Sequence, residues 1–111
     1  FKTTGPVVSS ISGEYEIIIA GSFDNRIYGI NMHTGEKEWD FLTFGDIYSS
    51  PAIVNRYVYF GSWDGFVYCL KLRTGELVWK YETEKGIRSS PSVVDGIVYF
   101  GSSDGYIYAL E

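Results

Sequence analysis

The stretch GSWDGFVYCLKLRTGELVW, residues 61–79, decides the fold because it occurs more than once in the chain. An earlier version, GSFDNRIYGINMHTGEKEW, begins at Gly21, and a shorter version, GSSDGYIYALE, begins at Gly101. The three versions start 40 residues apart. A fixed period of this length is typical of solenoids and propellers, in which each repeat is one small structural unit. We therefore expect an array of similar units.

Each period divides into short segments with the composition of β-strands. The segment IYSSPAIVNRYVYF at 47–60 returns as IRSSPSVVDGIVYF at 87–100, and pairs such as Asp64-Gly65 accept the positive φ angles of tight hairpin turns. In the central period we predict four strands, near 49–54, 57–61, 66–71 and 76–81. The chain would then hold two sets of four strands and a third set of three. The first set is expected to carry an insertion of five residues near 10–14.

The third strand of the central period is apolar on both of its faces. One face carries Tyr68 and Leu70, and the other carries Val67 and Cys69. A small antiparallel sheet normally exposes one face to water, so a sheet that is apolar on both faces must be covered on both sides. Blades that stack around an axis provide this cover, and the pattern predicts a β-propeller.

The predicted fold class is all-β, with propeller blades of four antiparallel strands and about 40 residues each. We expect the blades near 1–41, 45–81 and 86–111, the last of them lacking its outer strand. Propellers have about four to eight blades. The chain is therefore expected to be a partial propeller, either a piece of a longer protein or one protomer of an oligomer whose copies close the ring.

The repeated tryptophans distinguish between propeller families. Trp63 and Asp64 form a Trp-Asp pair, but Trp63 aligns with Phe23 and Ser103, so this tryptophan is not part of the repeat. The chain is therefore not a WD-repeat protein. The tryptophans that do repeat are Trp39 and Trp79, each four residues after a Thr-Gly pair.

The segments GINMHTGEKEW and CLKLRTGELVW resemble the PQQ-like repeat, whose motif is Ala-x-Asp-x-x-Thr-Gly-x-x-x-Trp. This is the propeller family of the quinoprotein alcohol dehydrogenases and of a bacterial lipoprotein that assembles outer membranes. The resemblance implies that Trp39 and Trp79 dock onto the neighbouring blade and that Gly35 and Gly75 shape the turns. It also favours an extracytoplasmic location. The motif's aspartate is replaced here, by Asn31, Lys71 and Glu111.

Charge and hydropathy exclude several classes of partner. The formal net charge is −5, and the sequence has no basic cluster, which argues against nucleic acid and anionic membrane surfaces as partners. No apolar run approaches the roughly 18 residues of a membrane span.

No residue pattern in the sequence predicts a catalytic, cofactor or metal site. Cys69 occupies a column that otherwise holds Gly29 and Ala109, so we interpret it as a small core residue. His33 precedes a Thr-Gly turn and has no second histidine to act with. The repeated aspartates have a sufficient role as turn residues, and we do not expect them to bind Ca²⁺; they are Asp24, Asp64 and Asp104.

Partner binding is the function that the sequence favours. In the geometry of the family, the loops that carry Trp63, Tyr48, Lys85 and Arg88 share one rim near the axis, and this mixed aromatic and cationic set is the candidate partner-binding site. The leading hypothesis is a non-catalytic scaffold for protein interaction or assembly. One alternative is a fragment of a quinoprotein dehydrogenase, although the adjacent cysteines that hold the quinone in that family are absent here. A glycan-binding propeller is the other.

Overall fold

The strands form three small antiparallel sheets. The computed structural model describes residues 2, 5, 12–14, 16–87 and 89–111, and within them the chain contains no helix. Sheet 1 consists of β1 (Ser12–Glu14), β2 (Ile17–Gly21), β3 (Arg26–Asn31) and β4 (Lys37–Leu42). Sheet 2 consists of β5 (Ala52–Val54), β6 (Tyr57–Gly61), β7 (Phe66–Lys71) and β8 (Leu77–Glu82). Sheet 3 consists of β9 (Ser92–Val94), β10 (Ile97–Gly101) and β11 (Ile107–Leu110).

Each sheet is a meander in which every strand pairs with the next strand of the chain. The pairing register repeats with the period of the sequence, since Ser12 pairs with Ile19 in sheet 1 and Ala52 pairs with Tyr59 in sheet 2. The prediction of all-β blades of antiparallel strands, two with four strands and the last with three, is confirmed.

Two details differ from the sequence prediction. The insertion expected near 10–14 does not fall within β1, because β1 keeps the register of the other sheets; the rest of that range lies outside the described residues. The first strand of sheet 2 begins at Ala52, later than the predicted residue 49. Pro51 has no N–H for the strand ladder, and the Ser49 hydroxyl accepts the Gly61 N–H at 2.8 Å instead.

The hairpin turns follow from local backbone preferences. Between β5 and β6, Asn55 and Arg56 have φ angles of 52° and 68°, and between β9 and β10, Asp95 and Gly96 have 51° and 77°. Two successive residues at positive φ match the right-handed twist of the flanking strands.

A hydrophobic core joins sheet 1 to sheet 2. The face of sheet 1 that points to sheet 2 presents Ile19, Ile27 and Trp39, and the facing side chains of sheet 2 include Phe60 and Leu70. These side chains are almost completely buried. Burying a large apolar side chain contributes about 1.5–3 kcal/mol, so the contact between sheets 1 and 2 stabilises the array substantially.

A second hydrophobic core joins sheet 2 to sheet 3, which is the last sheet in the described residues. Val67 of sheet 2 is fully buried against Val98 and Phe100 of sheet 3. Ile107 occupies the position of Val67 in sheet 3 and is 85% exposed. The outer face of sheet 3 is thus apolar and uncovered in this chain.

Buried hydroxyls tie the sheets together at one end. The Thr43 hydroxyl lies 2.9 Å from the carbonyl oxygen of Asn25 in sheet 1 and accepts a hydrogen bond of 3.2 Å from the Ser62 hydroxyl in the next sheet. Thr83 and Ser102 repeat this contact between sheets 2 and 3, also at 3.2 Å. Because buried polar groups need partners, these hydroxyls fix how neighbouring sheets align.

Candidate functional site: an aromatic rim

The turns between second and third strands lie at the same end of the sheets as the loops between blades. Backbone hydrogen bonds join the two sets: the Trp63 N–H donates to the Asp46 carbonyl oxygen at 2.9 Å, and the Ile87 N–H donates to that of Ser62 at 2.9 Å. Each loop is therefore held by the blades on both sides of it.

The repeated aspartates hold these turns. Asp64 Oδ1 accepts the N–H of Phe66 at 2.9 Å, while Oδ2 accepts the Tyr68 hydroxyl at 2.5 Å and the N–H of Phe44 at 3.1 Å. Burial, reinforced by the Asp64 carboxylate, raises the pKa of Tyr68 well above its usual value. The carboxylate oxygens are thus used within the turn and between blades.

The other two aspartates also accept a turn N–H and a tyrosine hydroxyl. The Tyr28 hydroxyl donates to Asp24, and the Tyr108 hydroxyl donates to Asp104 at 2.6 Å. The hydrogen bond to Asp104 is the main cause that raises the pKa of Tyr108 to about 12. Among the described residues, no three His, Cys, Asp or Glu side chains are grouped so that they could hold a metal ion.

Trp63 is exposed and held in place at the same time. Its side chain is 45% exposed. Its ring meets Tyr48 edge to face at 5.8 Å between centroids, and Tyr48 in turn meets Phe23 at 4.6 Å. A Cβ at Gly86 would lie 2.5 Å from the Trp63 ring, so only glycine permits this contact. The indole is fixed from two sides.

Phe44 belongs to the same end of the molecule and was missed in the sequence prediction. It is 84% exposed, and its N–H is the group that bonds Asp64. The signal was present in the repeat, because the equivalent position holds Glu84 and therefore requires no apolar side chain. We call Phe23, Phe44, Tyr48 and Trp63 the aromatic rim.

The cationic part of the predicted site is only partly described. Lys85 is exposed, and its carbonyl oxygen accepts the Thr83 hydroxyl at 2.7 Å. Arg88 lies outside the described residues. The structure thus brings Trp63 and Tyr48 into contact, and Lys85 immediately precedes the glycine that packs on the Trp63 ring.

The two repeated tryptophans have different surroundings. Trp39 is 7% exposed, its Nε1 donates to the Leu72 carbonyl oxygen of the next sheet at 2.7 Å, and its ring lies against Gly75, which has a φ of +72°. Trp79 is half-buried beside Tyr59, at 6.0 Å between ring centroids.

Three more residues complete the sequence-predicted set. Gly35 has the same φ as Gly75, +72°, but within the described residues nothing other than its own chain neighbours lies within 4 Å of where a Cβ would be. Cys69 is buried, and burial raises the pKa of its thiol to about 11. His33 is exposed, with its Nε2 at 3.2 Å from Oε1 of Glu16.

Comparison with known proteins places the repeat in a family. The family model described as "Outer membrane protein assembly factor BamB" matches residues 6–111. No curated protein sequence is similar enough to count as a relative. No helix among the described residues has the length and apolar character needed to cross a membrane.

Many solved structures share the fold, among them two natural proteins and a designed one. BamB from Moraxella catarrhalis superposes with a TM-score of 0.90 at 23% identity, over 99% of this chain and 35% of its own. Quinohemoprotein alcohol dehydrogenase from Comamonas testosteroni gives 0.82 at 25% identity, over 96% of this chain and 19% of its own. The computationally designed Ika4 protein gives 0.78 at 20% identity, over 89% and 62%. The chain therefore spans less than two thirds of each of these proteins.

Proposed function

This chain belongs to the family of the outer membrane protein assembly factor BamB, and from that premise we propose that it is a non-catalytic propeller segment that binds a protein through its aromatic rim. Because the family description is that of an assembly factor, we propose as partner a protein that takes part in assembling outer membrane proteins. We propose the extracytoplasmic location for the same reason.

The observation that supports partner binding most directly is the fixed and exposed indole of Trp63. Tyr48 and Gly86 hold the ring from two sides, so a partner that packs on it would cost little additional side-chain entropy. Aromatic anchors of this kind dominate the binding energy of many protein interfaces. Phe44 adds a second large apolar side chain at the same end of the sheets, and it is almost wholly exposed to water.

The proposal that the chain is non-catalytic rests on the residues that it does contain. The dehydrogenases of the PQQ-like family are expected to place their quinone on adjacent cysteines, whereas this sequence has one cysteine, Cys69, buried between sheets 2 and 3. The carboxylate oxygens of the repeated aspartates accept hydrogen bonds from turn N–H groups and tyrosine hydroxyls. His33 is exposed and paired with Glu16.

The chain is proposed to act as part of a larger ring. It spans about a third of BamB from Moraxella catarrhalis, and the outer face of sheet 3 exposes Ile107 where sheets 1 and 2 bury the equivalent residue. We propose blades at 1–41, 45–81 and 86–111, with the remaining blades supplied by a longer chain or by further copies.

A photo-crosslinking amino acid at position 63 tests partner binding in the cells that produce the protein. The matched control carries the same amino acid at Val78, which is 43% exposed but lies on the outermost strand of sheet 2, away from the rim. We expect defined protein adducts from position 63, weakened by Phe44→Ala, and none of these adducts from position 78. Identical products from both positions, or none from position 63, would overturn the proposal.

A further inference from the structure

A cationic cleft lies at the end of sheet 2 opposite the aromatic rim. It has a volume of about 260 Å³ and is bounded by the turn at 55–56 and the turn at 72–75. Three of its lining residues carry positive charge: Arg56, Lys71 and Arg73. The chain as a whole has a net charge of −5, so this concentration of positive charge is local.

The repeat shows what is unusual about this cleft. In sheet 1 the positions of Arg56 and Arg73 are held by Glu16 and His33, whose side chains approach to 3.2 Å. The backbone at the two places is the same, because the Met32 N–H donates to the Glu16 carbonyl oxygen at 2.9 Å and the Leu72 N–H donates to that of Arg56 at 2.9 Å. The repeat positions that hold an acid and a histidine in contact in sheet 1 thus hold two arginines in sheet 2.

Like charges that approach each other at such positions repel, and an anion bound between them relieves that repulsion. One acidic residue beside this cleft is Glu76, which lies 3.7 Å from the Lys71 ammonium. Both side chains of that pair are more than half exposed, and an exposed ion pair of this kind contributes little. Among the described residues, Arg73 has no hydrogen-bond or ion-pair partner.

The turn that carries Arg73 is rigid, which favours binding. Its Leu72 carbonyl oxygen accepts the indole N–H of Trp39, and its Gly75 packs on the ring of the same tryptophan. The contact between sheets 1 and 2 therefore holds the floor of the cleft. A preorganised site loses less entropy when a ligand binds.

We propose that this cleft binds the phosphate group of an anionic ligand. Planar guanidinium groups donate paired hydrogen bonds to phosphate oxygens. Because two arginines and one lysine carry three positive charges, they match a phosphate dianion better than they match a ligand with one carboxylate group. The phosphate can belong to a soluble metabolite or to a lipid headgroup, and both sources present the same oxygens.

Titration of inorganic phosphate into the full chain, followed by backbone amide chemical shifts, tests the proposal. The informative variant is Arg56→Glu with Arg73→His, which installs the pair that sheet 1 already tolerates and so preserves the fold. The control, Lys80→Glu with Lys2→Ala, makes an equal change in net charge elsewhere. We expect saturable shifts at 55–57 and 71–74, affinity weakened about tenfold or more in the first variant, and affinity within about twofold in the control.

Vesicles distinguish the two sources. Phosphatidylcholine vesicles with and without phosphatidylglycerol are compared for binding to the chain and to both variants. Binding that requires phosphatidylglycerol and is lost only in the arginine variant would assign the phosphate to a lipid. Saturable binding of inorganic phosphate without vesicle binding would assign it to a soluble ligand. Equal weakening in the control, or no binding of either probe, would overturn the proposal.

Discussion

The indole Nε1 of Trp39 donates a 2.7 Å hydrogen bond to the carbonyl oxygen of Leu72 in the neighbouring sheet. The ring fills the space between Gly29 of its own sheet and Gly75 of the next, and a Cβ at either glycine would lie about 2.4–2.5 Å from it. A single side chain thus supplies packing and a buried hydrogen bond between two blades.

Trp39→Ala is expected to lower the free energy of unfolding by about 3–5 kcal/mol, because it leaves a large cavity at the contact between sheets. From the sequence alone the same cost would be expected for Trp79→Ala. The structure makes that second cost smaller in this chain, since Trp79 is only half-buried. Urea unfolding of both variants, followed by circular dichroism, measures the difference. Equal losses of unfolding free energy in the two variants would show that contact with the next blade does not determine the cost of removing the tryptophan.

Val67 and Ile107 occupy the same repeat position in sheets 2 and 3, and substituting each of them tests the uncovered outer face of sheet 3. Val67→Glu places a carboxylate in a fully buried site, and we expect it to prevent folding. Ile107→Glu changes an exposed residue, so stability should stay within about 0.5 kcal/mol. We also expect Ile107→Glu to reduce self-association, because it interrupts the apolar face of sheet 3. Light scattering over a range of concentrations checks this. Unchanged association in Ile107→Glu would mean that a different surface joins the copies.

The Cys69 thiol is expected to be unreactive in the folded chain. Burial raises its pKa to about 11, and a weaker opposing effect comes from its hydrogen bond with Tyr59. At pH 8 a thiol reagent should therefore react slowly with the folded chain and rapidly in urea. Since Cys69 is the one cysteine of the sequence, the signal is unambiguous.

The same shift has a consequence for stability at high pH. The pKa is higher in the folded state than the ordinary value of 9.0, so the stability linked to this thiol is present below pH 9 and is lost as the pH rises from about 9 to about 11. Cys69→Ala, which copies the residue at position 109, should remove this part of the pH dependence. An unchanged alkaline profile in that variant would contradict the burial of the thiol.

The strands, their turns and their two faces could be predicted from the sequence because all three depend on local information. The 40-residue period marks equivalent positions, the Asp-Gly and Thr-Gly pairs mark turns, and alternation along residues 66–71 assigns each side chain to a face. The shortened first strands were not predicted, because their end depends on a side-chain bond between Ser49 and the distant Gly61.

The candidate sites were predicted less completely. Trp63 was selected because it interrupts a repeat column, but its contacts with Tyr48 and Gly86 depend on how two loops meet. Phe44 was not predicted, although Glu84 at the equivalent repeat position indicates that this position faces water. The cleft beside Arg56 and Arg73 joins two turns that lie 17 residues apart, and only folding brings them together.

The sequence by itself determined the repeat, the strands, the turns and the face on which each side chain lies. The tertiary structure alone decided which of these equivalent residues are buried. Val67 and Ile107 occupy the same position and have nearly the same chemistry, yet one is fully buried and the other is 85% exposed. The reason is that the alternation of residues along a strand fixes the face on which a side chain lies, whereas the burial of that side chain depends on whether a neighbouring sheet covers the face.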